Sequence, residues 1–161
     1  MTPDPLIPER ALFSSASAAY IARTDGRVLL VHQARAGSWG LPGGKAEQHE
    51  TPRATCEREG REELGVPVTA GRLLTFNWLA PGAAGDGAEF AHACHFLTFQ
   101  ATIDPADLDR ITVPAGELLD WRWWEVEAAV RPGVMEPFIA ANLRVATQVY
   151  RDERPTAYLE V

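Results

Sequence analysis

Apolar positions along this chain fall into short runs punctuated by glycine and proline, and into one long stretch at helical spacing. Ala11 to Thr24 has the composition of a strand and leads into an Asp25-Gly26 turn. Arg27 to Ala34 (Arg-Val-Leu-Leu-Val-His-Gln-Ala) reads as a second strand, so the two are expected to form a hairpin. Gly37 to Gly44 is a glycine-rich loop around Trp39 and Pro42. A helix is predicted from Thr51-Pro52, a good cap followed by proline at the first helical position, to near Gly65, with Pro67 just beyond. Val68 to Ala80 and Glu89 to Ile103 read as strands separated by a flexible loop, Pro81 to Gly87. Leu118 to Glu125 is a tryptophan-rich strand. Phe138, Ile139, Leu143, Ala146, Val149 and Tyr150 set a long amphipathic helix from Glu136 to Arg151. The last residues, Ala157 to Val161, suit a short strand or a loose tail.

With strands flanking both helices, the expected class is α/β (α+β), a mixed sheet held between helices. Residues 1–10, with three prolines, read as a flexible N-terminal segment, 11–150 as a single domain, and 151–161 as a C-terminal tail. A chain of 161 residues suffices for one adequate core.

Composition narrows the partners. A net charge of −7 argues against a nucleic-acid polymer, whose binding requires Lys and Arg to neutralise phosphates. It leaves room for a small phosphorylated ligand, which needs only a local cluster of cations. No apolar run reaches the length of a membrane span, and no basic segment followed by an apolar stretch marks a secretory signal. Two cysteines, Cys56 and Cys94, are too few for a disulfide framework, and the expected compartment is the cytoplasm. One lysine against fourteen arginines, with abundant alanine, hints at a GC-rich bacterial genome.

The most informative stretch is residues 43–66, where a Gly-Gly loop runs into the first helix. Glu59, Glu62 and Glu63 stand at i, i+3 and i+4 and so crowd on one helix face. Like charges at this spacing oppose helix formation by a few tenths of a kcal/mol per pair. A hard divalent cation such as Mg²⁺ or Mn²⁺ removes that repulsion, because it prefers oxygen ligands.

Gly44, Glu50, Arg58-Glu59, Glu62-Glu63 and Gly65, followed by Val66, resemble the Nudix box, the signature of hydrolases acting on nucleoside diphosphates linked to another group. At a background frequency of about 7% per position, seven matches arise by chance about once in 10⁸ starting positions. One departure stands out. Gly60 occupies a place where the family usually has an aliphatic residue, so a side chain expected to pack beneath the helix is missing. The resemblance implies a Nudix-type α-β-α sandwich and an Mg²⁺- or Mn²⁺-dependent pyrophosphohydrolase. It implies Glu59 and Glu63 as direct metal ligands, Glu62 as a third ligand or a helper through water, and a backbone carbonyl ligand at Gly43. Glu50 and Arg58 would bridge loop and helix and hold Glu59 in place. For the general base it leaves Glu59 and Glu117, the latter six residues before Trp123; Asp86 and Glu89 are weaker candidates.

Arg35 and Lys45 flank the glycine-rich loop and suit phosphate oxygens, while Trp39 and Trp78 are placed to line a substrate pocket. Trp121 and Trp123 share a strand face and read as core. His92 and His95 have a zinc-like spacing, but an odd separation on a strand turns them to opposite faces. By the resemblance the substrate is a small nucleotide, with nucleoside triphosphates competing against nucleotide sugars, ADP-ribose or dinucleotides. The alternative from another class is a catalytically silent nucleotide sensor, which usually loses box carboxylates that this chain keeps. A homodimer through the N-terminal segment and the last ten residues is left open.

Overall fold

The computed structural model describes residues 11–82 and 92–160. The segment 1–10, and with it Asp86 and Glu89, lies outside the described residues.

Among the described residues, eight strands form two sheets: β1 Phe13–Ile21, β2 Val28–Gln33, β3 Trp39–Gly40, β4 Gly43–Lys45, β5 Thr69–Leu79, β6 Ala93–Thr102, β7 Leu118–Trp124 and β8 Ala157–Glu160. The helices are α1 Pro52–Leu64, α2 Val126–Ala129 and α3 Pro137–Arg151, with a 3₁₀ turn over Pro105–Arg110. The five-stranded sheet has the order β4-β1-β6-β5-β8 and the smaller one β3-β2-β7. The larger sheet is mixed, since β1 runs parallel to β6 and β5 parallel to β8 while the other pairs are antiparallel.

The expected β1–β2 hairpin is corrected. The Asp25-Gly26 turn is present, but beyond a single bridge between Ala22 and Val28 the two strands part. β1 pairs with β4 and β6, whereas β2 pairs with β3 and β7. The reason is burial: Ala16 to Ile21 and Val28 to Val31 are covered on both faces, so each strand sits inside its own sheet and neither serves as a hairpin edge. Of the two readings of the last residues, short strand or loose tail, the structure has the strand: Ala157–Glu160 adds a parallel edge strand to β5.

Two cores form on opposite sides of the strands. One packs Ala16, Ala18, Tyr20, Leu30 and Phe96 against Leu143, Ala146 and Val149 of α3. The other packs Ala19, Ile21, Leu29, Val31, Leu97 and Phe99 against Cys56 and Leu64 of α1. Helices therefore lie on both faces of the strands. Trp121 and Trp123 pack partly buried against the α1-side core. On the α3 side, a buried polar cluster satisfies itself: Asn142 accepts from the Thr75 hydroxyl (2.7 Å) and the Asn77 amide (3.0 Å) and donates to Thr98 (2.9 Å).

α1 begins and ends where local chemistry dictates. The Thr51 hydroxyl accepts from the Ala54 N–H, Pro52 opens the helix, and Gly65 closes it at φ 69°, a left-handed conformation that glycine adopts without penalty. Gly60 has a steric explanation. A Cβ there would lie 2.9 Å from a Val68 methyl, so Val68 fills the space that an aliphatic residue at position 60 would need.

Candidate active site

A cleft of about 770 Å³ opens between the two sheets and the start of α3. Glu59, Glu63 and Glu117 line it, with Gly43, Gly44 and Lys45. Trp39, Leu41, Phe96, Phe138 and Ile139 supply its apolar lining, and Glu136 also borders it.

Antiparallel pairing places Gly43 and Gly44 of β4 opposite Ala18 and Ser17 of β1, with α1 lying across them. The inward face of α1 presents Glu63, which is 6% exposed, and its Oε2 accepts from the Gly43 N–H at 2.8 Å. A Cβ on Gly44 would sit 2.5 Å from the Glu59 carboxylate, so only glycine lets loop and helix approach this closely.

Arg58 organises the rest. Its Nε and Nη2 donate to the two Glu50 oxygens at 2.9 and 3.0 Å, and its Nη1 donates to Glu59 at 2.9 Å and Glu62 at 3.0 Å. Nη2 also donates to the Lys45 carbonyl at 2.9 Å, tying helix to loop. Glu50 in turn accepts from the Glu47 N–H and the Thr55 hydroxyl. These donors, the Arg58 guanidinium first, hold the Glu50 carboxyl down to about 2.

Glu63 goes the other way. Burial, opposed by the Gly43 N–H and reinforced by the charges of Glu59, Glu117 and Glu62, pushes its carboxyl up to about 8. Burial also raises Glu59, against the pull of Arg58 and with repulsion from Glu62 and Glu117. Glu117 stands just before β7, where the Ala34 N–H donates to its backbone carbonyl at 3.0 Å. Its charge acts on both helix carboxylates although it is more than fifty residues away in sequence.

Among the described residues, no group of three or more His, Cys, Asp or Glu side chains is already disposed around a metal position. Arg58 and the Gly43 N–H hold the oxygens instead. The donor set nevertheless fits a hard divalent cation: it is all oxygen, it is crowded with negative charge, and its burial penalises that charge until a cation arrives. The residues able to hold such an ion are Glu59, Glu62 and Glu63, with the Gly43 carbonyl beside them.

Arg35 and Lys45 line the cleft, as does Trp39. Trp39 is half-buried and held by three neighbours: His32 stacks on it at 4.8 Å and 8°, the Arg122 guanidinium lies 5.4 Å from its ring centre, and Trp124 meets it edge-on. It offers the cleft a fixed wall more than an open stacking face. Trp78 does not line the cleft among the described residues, which corrects the expectation for it. It pairs with His95 on β6 and so shares the face of Leu97, whereas the adjacent Phe96 points into the cleft. His95 packs against Phe13 and Phe76, and His92 is exposed before β6 begins. Sequence reasoning missed Phe96, Glu136, Phe138 and Ile139 as cleft residues. The only signal was the apolar stripe of α3, which looks the same whether it faces core or ligand.

A family model for the NUDIX domain matches residues 12–144. The chain belongs to the Nudix family. It is 50% identical over 127 residues to a putative 8-oxo-dGTP diphosphatase 3 of Mycobacterium tuberculosis, an alignment covering 74% of this chain and 54% of that protein. It is 42% identical over 60 residues to a CTP pyrophosphohydrolase of Escherichia coli, covering 35% of this chain and 44% of that one. The chain thus spans about half the length of the curated relatives it matches. Among solved structures, a UDP-X diphosphatase superposes with a TM-score of 0.71 at 18% identity, covering 94% of this chain and 68% of the other. The MutT protein of Methanosarcina mazei does so with a TM-score of 0.67 at 19% identity, covering 91% and 99%. These two similarities establish the fold.

Proposed function

We propose that the protein hydrolyses the pyrophosphate link of a small nucleotide, a nucleoside triphosphate in the first instance, releasing a nucleoside monophosphate. The observation that carries this reading is a single cleft lined both by glycines with clustered carboxylates and by aromatic and apolar side chains. Such a lining suits a ligand that carries both phosphates and a base. Support for the triphosphate comes from the relatives named as an 8-oxo-dGTP diphosphatase and a CTP pyrophosphohydrolase.

In this reading Glu59, Glu62 and Glu63, with the Gly43 carbonyl, hold Mg²⁺ or Mn²⁺. Such an ion, when bound, neutralises phosphoryl charge and lowers the pKa of water. Arg58 and Glu50 keep helix and loop in register. Lys45 and Arg35 face the phosphate oxygens, and Phe96, Phe138 and Ile139 take the base. A water oxygen attacks phosphorus, the bond to the bridging oxygen breaks, and the water's proton passes to a carboxylate. Glu59 and Glu117 are the two candidates for that carboxylate, both lining the cleft.

A panel of nucleoside triphosphates, nucleotide sugars, ADP-ribose and dinucleotides, assayed with Mg²⁺ or Mn²⁺ and with products identified by mass, tests this. Triphosphate turnover to a monophosphate is the expected result. Preferred cleavage of a sugar nucleotide overturns the substrate assignment. Tight nucleotide binding with no turnover of any compound overturns hydrolysis and favours a sensor.

A further inference from the structure

Ser17 lies at the centre of β1, fully buried, and its hydroxyl has no hydrogen-bond partner among the described residues. A buried unpaired hydroxyl is disfavoured relative to a paired one, because it loses its water without gaining a partner, so one that persists calls for a reason.

Its direction follows from the strand. Ala16, Ala18 and Tyr20 belong to the α3-side core, and Ala19 and Ile21 to the α1-side core. Alternation therefore turns Ser17 toward α1. Its antiparallel partner is Gly44, the residue whose Cβ position lies 2.5 Å from the Glu59 carboxylate. Paired residues on neighbouring strands present their side chains to the same face, with Cβ positions about 4.5–5.5 Å apart. The Ser17 side chain thus projects from the same face on which the Glu59 carboxylate occupies the place a Gly44 side chain would take. Glu59 Oε1 is held from the other side by Arg58, and no hydrogen bond to Oε2 is formed among the described residues.

We propose that Ser17 is a positioning residue for the carboxylate cluster: its hydroxyl donates to Glu59 when that carboxylate turns from Arg58 onto a divalent cation. In the cation-free protein the donor waits without a partner. This rests on the metal-dependent reading above and adds a residue outside the box to it. Ser17 touches neither substrate nor cation; it fixes the orientation of a ligand from behind.

The test compares Ser17→Ala with the wild type in Mn²⁺ titrations followed by electron paramagnetic resonance and calorimetry, alongside Tm measured in chelator. Removing a donor behind a metal ligand is expected to weaken Mn²⁺ binding about 10-fold. Because the hydroxyl lacks a partner without metal, Tm in chelator is expected to hold or rise. A hydroxyl with a purely structural role gives the opposite pattern, lowered Tm with unchanged Mn²⁺ affinity, and that result overturns the proposal. Ser17→Cys provides a second variant of similar size with a weak S–H donor, and its Mn²⁺ affinity should fall between the other two; affinity equal to the wild type in both variants also overturns it. Failure of the wild type to bind Mn²⁺ at all removes the metal reading itself. Normal Mn²⁺ binding in Ser17→Ala removes only the role of Ser17.

Discussion

Glu63 Oε2 accepts a hydrogen bond from the backbone N–H of Gly43 at 2.8 Å, twenty residues back along the chain. This bond ties the buried end of α1 to the β4 loop and aims a carboxylate at the floor of the cleft. If Glu63 is a metal ligand, Glu63→Gln keeps the shape and an acceptor for Gly43 but loses the charge. Turnover is then expected to fall by about 10²- to 10³-fold, the scale for losing one preorganised electrostatic contact. Far-ultraviolet circular dichroism should be unchanged. Near-normal kcat in the folded variant would take Glu63 out of the ligand set.

The same carboxyl sets a pH dependence. Its pKa rises from the ordinary 4.5 to about 8 on folding, so the native state holds this proton more tightly than the unfolded chain. The stabilising contribution is complete below about 4.5 and is lost as pH rises through about 8. In chelator, Tm should therefore decline across that window, and Glu63→Gln should flatten the decline. Mn²⁺ binding below pH 8 should release a proton. Calorimetry in buffers of different ionisation enthalpy reads that proton directly, and buffer-independent heats at pH 7 would contradict it.

Arg58 bridges three carboxylates and a backbone carbonyl while only 16% of its side chain is exposed. Arg58→Ala strands Glu50 and Glu59 without a counter-charge and is expected to destabilise the fold by about 3 kcal/mol. Arg58→Lys should recover little, because one ammonium cannot span the fork that serves Glu50 and Glu59 together. Urea unfolding of the three proteins checks both statements; a lysine variant as stable as the wild type would show that charge suffices.

At position 60 helix propensity and packing oppose each other. Gly60→Ala gains about 1 kcal/mol of propensity but forces a Cβ to 2.9 Å from Val68, and overpacking of this kind destabilises by about 1–3 kcal/mol. The expected result is a net loss of about 1 kcal/mol that disappears when Val68→Ala is added. A double-mutant cycle measures the coupling. Additive effects would show that the two positions do not compete for space.

Much of the site was legible because its signals are local. Thr51, Pro52 and Gly65 set the ends of α1 within one turn of themselves, and helical spacing alone puts Glu59, Glu62 and Glu63 on one side. The two antiparallel neighbours of β6 and β7 were likewise foreseeable as strands from their apolar runs. Position in a sheet was not. Whether Trp78 faces the cleft depends on its register with His95, and whether β1 joins β2 depends on both being covered on two faces by distant helices. The approach of Glu117 to Glu59 and Glu63, the Val68 methyl that fills the space at Gly60, and the unpaired Ser17 hydroxyl also arise only after folding. Caps and helix faces are written in neighbouring residues; strand partners, burial and the charge it penalises are settled by contacts between residues far apart in the chain.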